Sequence, residues 1–227
     1  MAREPGPEVA FARAGRSARK RERAVVIALT GASAADLAAA RSHAARVDPR
    51  ALLIAVDGGL AACRAARRRP DLFVGDLDST PRSPRGIPSH IYPVDKDFSD
   101  FSGALTEASR LGAGVVVIAG LLGGRLDHEW ANVQEVGKAA PRFTGMLAPS
   151  ARGLLAVTTG RLSARPAAGR TVSVFALGGG AVVTLRGTRW TLAKRKLVPG
   201  SLGLSNIAAG DVTLQVHNGV AGLVFPV

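Results

Sequence analysis

Ala24-Val25-Val26-Ile27-Ala28-Leu29, followed by Thr30-Gly31-Ala32-Ser33, is the stretch that decides the fold. Its apolar, β-branched run shows no alternation, the pattern of a strand buried on both faces as in a parallel sheet. Thr30 to Ala32 turns the chain, and the Ser33 side chain can cap a helix running to about Val47. The unit then repeats. A buried strand at Ala51–Val56 ends on Asp57-Gly58-Gly59, a helix follows near Leu60–Arg68, and further strands read at Leu72–Val74 and Val115–Ile118. This alternation predicts an α/β domain with a mainly parallel sheet.

In open α/β sheets ligands gather beyond the carboxyl ends of the strands, and this chain places acids there. Gly75-Asp76-Leu77-Asp78-Ser79 follows the Leu72–Val74 strand. If the strand continues, side-chain alternation puts Asp76 and Asp78 on one face. Two oxygen ligands so placed suit a hard divalent cation such as Mg2+, although an acidic turn reads the same way. Gly58 and Gly59 beside Asp57 permit close backbone approach to a ligand, and equally make a turn.

Residues 80–90, rich in Pro, Ser and Arg, read as loop. In the next segment, Asp95-Lys96-Asp97-Phe98-Ser99-Asp100, Ser99 or Asp97 can cap a helix reaching about Leu111. Asp100 then sits in the first turn, where the helix dipole favours a carboxylate. Capping uses one or two of these acids and leaves a third over. Lys96 among them reads as a phosphate contact or a charge partner. After the next strand, Gly120–Asn132 delivers Gly123, Gly124, Arg125, Asp127, His128 and Asn132 into the start of a helix. Free N–H groups there suit an anion, and Arg125 can grip phosphate with its fork. The loop has neither G-x-x-x-x-G-K-[ST] nor G-x-G-x-x-G. His128 serves equally as a surface histidine, and zinc-ligand spacing is missing.

Beyond about Arg142 helical periodicity disappears. Strand candidates at Phe143–Leu147, Leu154–Thr158, Thr171–Leu177, Ala181–Leu185, Trp190–Leu192, Asp211–Val216 and Gly222–Phe225 predict a smaller all-β domain, a β-sandwich or barrel-like unit. Trp190, Ser205 and Asn206 are conspicuous in it, and the plainest role for Trp190 is a core aromatic. The predicted organisation is a basic, disordered tail over 1–23, an α/β catalytic domain over 24–148 and a β-domain over 149–227.

Composition narrows the class. The 227 residues are 47% hydrophobic but only 4% aromatic, so Ala, Val and Leu must build the core. No apolar run approaches the roughly 20 residues that span a bilayer, and no signal-peptide core is evident, so a cytoplasmic location is expected. The single cysteine, Cys63, excludes an intrachain disulfide and reads as a small buried hydrophobe. The net charge of +13 admits a polyanionic partner. It comes with no nucleic-acid-binding motif and fits an anionic substrate equally.

Taken together, Asp57-Gly58-Gly59, Gly75-Asp76-Leu77-Asp78-Ser79, Asp97-x-x-Asp100 and Gly123-Gly124-Arg125-Leu126-Asp127-His128 with Asn132 resemble the thiamine pyrophosphokinase (thiamin diphosphokinase) family in order and spacing. Leu185-x-Gly187-x-x-Trp190-x-Leu192 and Gly203-Leu204-Ser205-Asn206 extend the resemblance over roughly residues 24–227. It implies transfer of pyrophosphate from Mg-ATP to thiamine, giving thiamine diphosphate and AMP. It also implies a homodimer whose active site joins the catalytic domain of one subunit to the β-domain of the other. Asp76, Asp78 and Asp100 match the metal-binding acids, with Asp57 nearby. The expected catalytic set is Asp57, Asp97, Asp100, Arg125 and Asp127. Lys96, Gly123, Gly124, Arg125, His128 and Asn132 are expected to hold the nucleotide, and Trp190, Ser205 and Asn206 the thiamine. Ser99 stands where threonine is usual, and the stretch from Arg189 to Lys196 is unusually basic. Two rival readings remain: a pyrophosphokinase for another hydroxymethyl heterocycle of pterin type, and a non-catalytic nucleotide- or nucleic-acid-binding protein. The second leaves the clustered aspartates without a role.

Overall fold

A computed structural model describes residues 6–13, 22–78 and 84–227. In chain order its elements are β1 (Glu8–Ala12), β2 (Arg23–Ala28), α1 (Ala34–Val47), β3 (Leu52–Val56), α2 (Gly59–Ala65), β4 (Leu72–Gly75), β5 (Ser89–Ile91) and α3 (Asp100–Arg110). There follow β6 (Ala113–Ala119), α4 (Leu126–Ala139), β7 (Gly145–Ser150), β8 (Gly153–Thr158), β9 (Arg161–Arg165), β10 (Thr171–Thr188), β11 (Leu192–Leu197) and β12 (Asn206–Pro226). They form two compact units. One comprises the described residues from 22 to 135 with Ala148–Ser150, and the other residues 6–13, Val136–Leu147 and Ala151–Val227. The sequence predicts one boundary after residue 148; the units interleave around it instead.

In the α/β unit the strand order β6-β2-β3-β4-β5 is parallel throughout. The opening run behaves as read: Ala24 to Ala28 are fully buried, with Val26 between Leu53 of β3 and Val117 of β6. Ser33 caps α1 in a reciprocal box with Asp36, so two otherwise unpaired helix-end donors are satisfied. Leu37, Ala40 and Ala44 of α1 bury one helical stripe, as Phe101, Ala104, Leu105 and Ala108 do for α3. Cys63 is buried and its thiol is pushed up to about 11 by that burial, the behaviour of a packing residue. The chain steps from β2 outward to β5 and then returns to place β6 on the other side of β2. The crevice outside the carboxyl ends of β2 and β6 is therefore the switch point of this sheet.

The other unit is built from strands. β1 pairs antiparallel with β9, and β12 pairs antiparallel with both β9 and β8. β10 forms an antiparallel hairpin with β11. Against β12, Ser173 lies opposite Val224, Leu177 opposite Val220, Val183 opposite Val216 and Leu185 opposite Leu214. Pairing over the whole chain is thus mixed, and the mainly parallel expectation holds only for the α/β unit.

Several local readings are corrected. The segments 171–177 and 181–185 are one strand, β10, because Gly178 and Gly180 take positive φ and bend it rather than end it. Likewise 211–216 and 222–225 lie within β12, with Gly219 at φ 80° between them. β11 spans Leu192–Leu197 rather than Trp190–Leu192. Ser89 and His90, read as loop, belong to β5, a short, largely exposed edge strand whose polar sequence carries no β signal. Residues 8–12, read as part of a solvated tail, form β1. Phe11 packs against Gly145, where any Cβ would overlap its ring. The rest of the predicted tail, apart from 6–13, 22 and 23, lies outside the described residues, as do Ser79 and Thr80.

Candidate active site

Parallel register brings the first carboxylates together. Val56 of β3 lies beside Val74 of β4, so Asp57 follows next to Gly75, and the Asp57 amide donates to the Val74 carbonyl at 3.0 Å. Asp57 takes a left-handed backbone, φ 43°, which turns its side chain over β4. A Cβ on Gly75 would overlap the Asp57 carboxylate. The glycine is required there because the acid occupies that space.

Asp76 follows β4, and Asp100 opens α3 one residue after its cap, Ser99, whose hydroxyl accepts from the Ser102 amide at 3.1 Å. Oxygen atoms of Asp57, Asp76 and Asp100 all lie within 4.8 Å of one another. Asp57 Oδ1 and Asp100 Oδ1 are buried and without a hydrogen-bond partner among the described residues. Lys96 Nζ donates to Asp76 Oδ2 at 2.6 Å and to Asp100 Oδ2 at 3.1 Å. Burial, backed by the charges of Asp100 and Asp76, raises Asp57 to about 7. The Lys96 hydrogen bond holds Asp76 below the ordinary carboxylate range. Burial opposes charge on Lys96, but its bonds to Asp76 and Asp100 outweigh this and keep its pKa above the usual value.

Two of the three clustered carboxylates thus share one ammonium group, and two oxygens of the cluster are dry and unpaired. Unpaired buried carboxylate oxygens are costly, and a hard cation with oxygen preference is the chemistry that would relieve them. The donor set therefore fits a divalent metal.

The set differs in one member from the sequence reading. Asp57, placed there only as a neighbour, is in the cluster, whereas Asp78 flanks it. The same-face premise for Asp76 and Asp78 fails because β4 ends at Gly75 and Leu77 adopts φ 68°. The Asp78 amide donates to Asp76 Oδ1 at 3.1 Å in a tight turn, and its carboxylate, although exposed, adds its charge at Asp57. Asp97 is exposed and outside the cluster. Gly58 and Gly59 serve packing rather than ligand approach. A Cβ on Gly58 would lie 2.7 Å from Thr30 Cγ2, and one on Gly59 would overlap the Ala28 carbonyl.

At the switch point, Gly31 after β2 faces the loop after β6: a Cβ on Gly31 would lie 3.7 Å from the Gly120 carbonyl and 3.9 Å from the Gly124 Cα. Gly123 takes φ 106°, open to residues with no Cβ, and both Gly123 and Gly124 face open space. Arg125 and Asp127, both exposed, form a two-bond pair, Nη2 to Oδ2 at 2.6 Å and Nε to Oδ1 at 3.2 Å. This pairing holds Asp127 below its usual range and Arg125 above its own. His128 is exposed and Asn132 half-buried on the first turns of α4. Sequence reading missed Glu129, whose carboxylate accepts from the Gly123 amide, and it missed Thr30 and Gly31. Thr30 and Gly31 are marked only by where the fold lays the β2 turn, which is tertiary, whereas Glu129 is marked by a local bond across the β6–α4 loop.

In the strand-rich unit Trp190 is 55% exposed, so it is not a core aromatic. The Arg189 guanidinium stacks over its ring at 5.1 Å. Asn206 is buried and bonded at both ends of its amide. Its Oδ1 accepts from the Trp190 and Ile207 amides at 3.1 and 2.8 Å, and its Nδ2 donates to the Trp190 carbonyl at 2.6 Å. Asn206 thus fixes the Trp190 backbone. Ser205 is exposed at φ 57°, its amide donates to Ser173 Oγ at 3.0 Å, and it precedes Asn206, which holds the Trp190 backbone.

Comparison with known proteins agrees with the division into two units. Residues 44–145 match the family model "Thiamin pyrophosphokinase, catalytic domain", and residues 161–221 match "Thiamin pyrophosphokinase, vitamin B1 binding domain". The crystal structure of thiamine pyrophosphokinase from Bacillus subtilis superposes with TM-score 0.70 at 20% identity, covering 90% of this chain and 99% of that one. The Geobacillus thermodenitrificans thiamin pyrophosphokinase gives 0.70 at 22% identity, over 90% and 97%. A family protein from Enterococcus faecalis gives 0.66 at 19%, over 90% and 99%. These likenesses carry the fold. Among curated proteins none matches this chain. With both family models matched in order along one chain, and the fold to accompany them, this chain belongs to the thiamin pyrophosphokinase family.

Proposed function

We propose that the carboxylate cluster of the α/β unit is where this thiamine pyrophosphokinase holds Mg-ATP for transfer of a pyrophosphoryl group to thiamine. The activity itself follows from the family. The observation that supports this placement is the pair of buried, partnerless oxygens on Asp57 and Asp100 beside Asp76. These three residues would hold Mg2+, with Asp78 at the edge. Magnesium bound there would neutralise phosphate charge and polarise the phosphorus under attack.

The residues of the chain do the rest. Lys96, pinned between Asp76 and Asp100, fixes both carboxylates and offers its remaining proton to a phosphate oxygen. The amide of exposed Gly124, and that of Gly123 in exchange for its Glu129 partner, bind phosphate together with Arg125 released from Asp127. His128 and Asn132 border that loop. The thiamine hydroxyl oxygen forms a bond to the β-phosphorus of ATP, the bond from that phosphorus to the oxygen bridging the α-phosphate breaks, and AMP leaves with that oxygen. The hydroxyl proton passes to a carboxylate. Asp97 and Asp127 are the candidates for that base.

Trp190 offers an exposed aromatic face for the flat cationic ring of thiamine, and exposed Ser205 is the neighbour in sequence of Asn206, which holds the Trp190 backbone. This, with the match to a vitamin B1 binding domain, favours thiamine over a pterin alcohol. A homodimer is the assembly we propose, since Trp190, Val198, Leu202 and Leu204 expose apolar surface in the strand-rich unit. The cytoplasm is the proposed location; no described helix is long and apolar enough to cross a membrane. The deciding experiment measures AMP release from ATP and Mg2+ with thiamine and with a hydroxymethylpterin. Release with thiamine supports the reading, and release with the pterin alone overturns it.

A further inference from the structure

A second charged feature lies at the opposite edge of the same sheet. Arg64 on α2, Arg67, Arg68 and Arg69 in the α2–β4 connection and Arg85 just before β5 surround a cavity of about 450 Å³. These segments stand at the amino ends of β4 and β5, whereas the carboxylate cluster stands beyond the carboxyl ends of β3 and β4. Leu60, Pro70, Pro84 and Ile87 supply an apolar wall.

Among the described residues no acid lines this cavity. Asp71, the nearest acid in sequence, turns away to accept the Leu53 amide at 2.8 Å. Arg69 donates to the Gly86 carbonyl, which ties the two sides of the cavity together. The other four guanidinium groups have no ion pair among the described residues. Arginine cannot relieve crowding by losing its proton, so five like charges around one concavity repel unless an anion enters. A merely solvated basic face would be convex and interspersed with acids. This one is concave, free of acids among the described residues, and walled by two prolines that hold its shape.

We propose that this arginine cavity is an anion-binding site, separate from the catalytic cluster, that takes a small nucleotide-class ligand: an oligophosphate carrying a ring. Guanidinium forks match phosphate oxygens two at a time. The apolar wall receives a planar organic part, and the volume is within the ordinary range of small-ligand sites, about 300–1,000 Å³. A nucleic-acid backbone would instead call for an extended basic stripe.

The test is calorimetric titration of the full chain with ADP, inorganic pyrophosphate and a short oligo(dT) in EDTA. Without divalent cation the catalytic carboxylates repel phosphates, so this binding does not depend on the proposed reaction. ADP binding is expected, tighter than pyrophosphate, and weakened about tenfold or more by Arg64→Gln/Arg68→Gln/Arg85→Gln. A control, Arg186→Gln/Arg195→Gln/Lys196→Gln, removes the same charge elsewhere and is expected to leave it within about twofold. Circular dichroism checks folding, and single Arg85→Gln replaces the triple variant if that fails to fold. Absence of ADP binding, equal losses in the two variants, or tighter oligo(dT) binding through the same arginines overturns the proposal.

Discussion

The Asp57 carboxylate occupies the space in which a side chain on Gly75 would begin. One residue on β4 must lack a Cβ so that an acid at the end of β3 can lean across and meet Asp76 and Asp100. The relationship ties the backbone of one strand to the chemistry of the next, and four expectations follow from it and its surroundings.

Gly75→Ala forces Asp57 aside. Phe73 Cζ, 3.3 Å from the new methyl, closes the alternative space. Overpacking of this kind costs about 1–3 kcal/mol, and denaturant unfolding should show a loss of that size. Magnesium dependence of AMP release should shift to higher concentration by a larger factor than stability accounts for. An unchanged metal requirement would detach Asp57 from the metal site.

Asp76→Asn removes a ligand and the main partner of Lys96 while keeping the shape. Turnover should fall by a factor of about 100 or more, with an unchanged circular dichroism spectrum. Full turnover with Mg-ATP would sink the metal assignment. Lys96→Met should also lower turnover, and by leaving Asp76 and Asp100 without their ammonium partner it should destabilise the metal-free protein more than the metal-loaded one.

The stability of the metal-free protein should depend on pH through Asp57. Its folded pKa, about 7, lies above the unfolded carboxylate value near 3.8. Between those values the folded state binds more protons than the unfolded chain, so stability falls as pH rises from about 4 to about 7. His43, whose pKa burial lowers, works in the opposite direction near its own titration. The difference between wild type and Asp57→Asn isolates the Asp57 contribution: in EDTA the variant should lose less stability across that window. Added Mg2+ should stabilise the wild type most at the upper end. Parallel pH profiles for the two proteins would contradict the raised pKa.

Asn206→Ala deprives the Trp190 and Ile207 amides of their acceptor and leaves the Trp190 carbonyl with the Thr188 hydroxyl alone. Leaving such groups unsatisfied costs about 1–3 kcal/mol. Because Asn206 acts through Trp190, the KM for thiamine should rise while the KM for ATP stays near wild type. Trp190→Ala should raise the thiamine KM with little loss of stability, since the ring is largely exposed. Equal effects on both substrates would remove Trp190 from the thiamine site.

What could be read along the chain was what depends on near neighbours. The buried run Ala24–Leu29, the Ser33 and Ser99 caps, the alternation of strands and helices, and the acids just past strand ends are all local patterns, and each stands where the sequence places it. The family resemblance rests on such short blocks as well. Tertiary structure decided the rest. β1 and β5 owe their existence to partners far along the chain and carry no strong β signal. Gly178, Gly180 and Gly219 read as breaks, yet positive φ lets long strands bend through them. Asp57 became a member of the carboxylate cluster because parallel register set β3 beside β4. Asp78 moved to its edge because Leu77 turned left-handed. Asn206, read as a ligand residue, proved to be bonded to the backbone of Trp190. A side chain's type is written in the sequence; the groups that satisfy it are supplied by whichever strand the fold lays alongside.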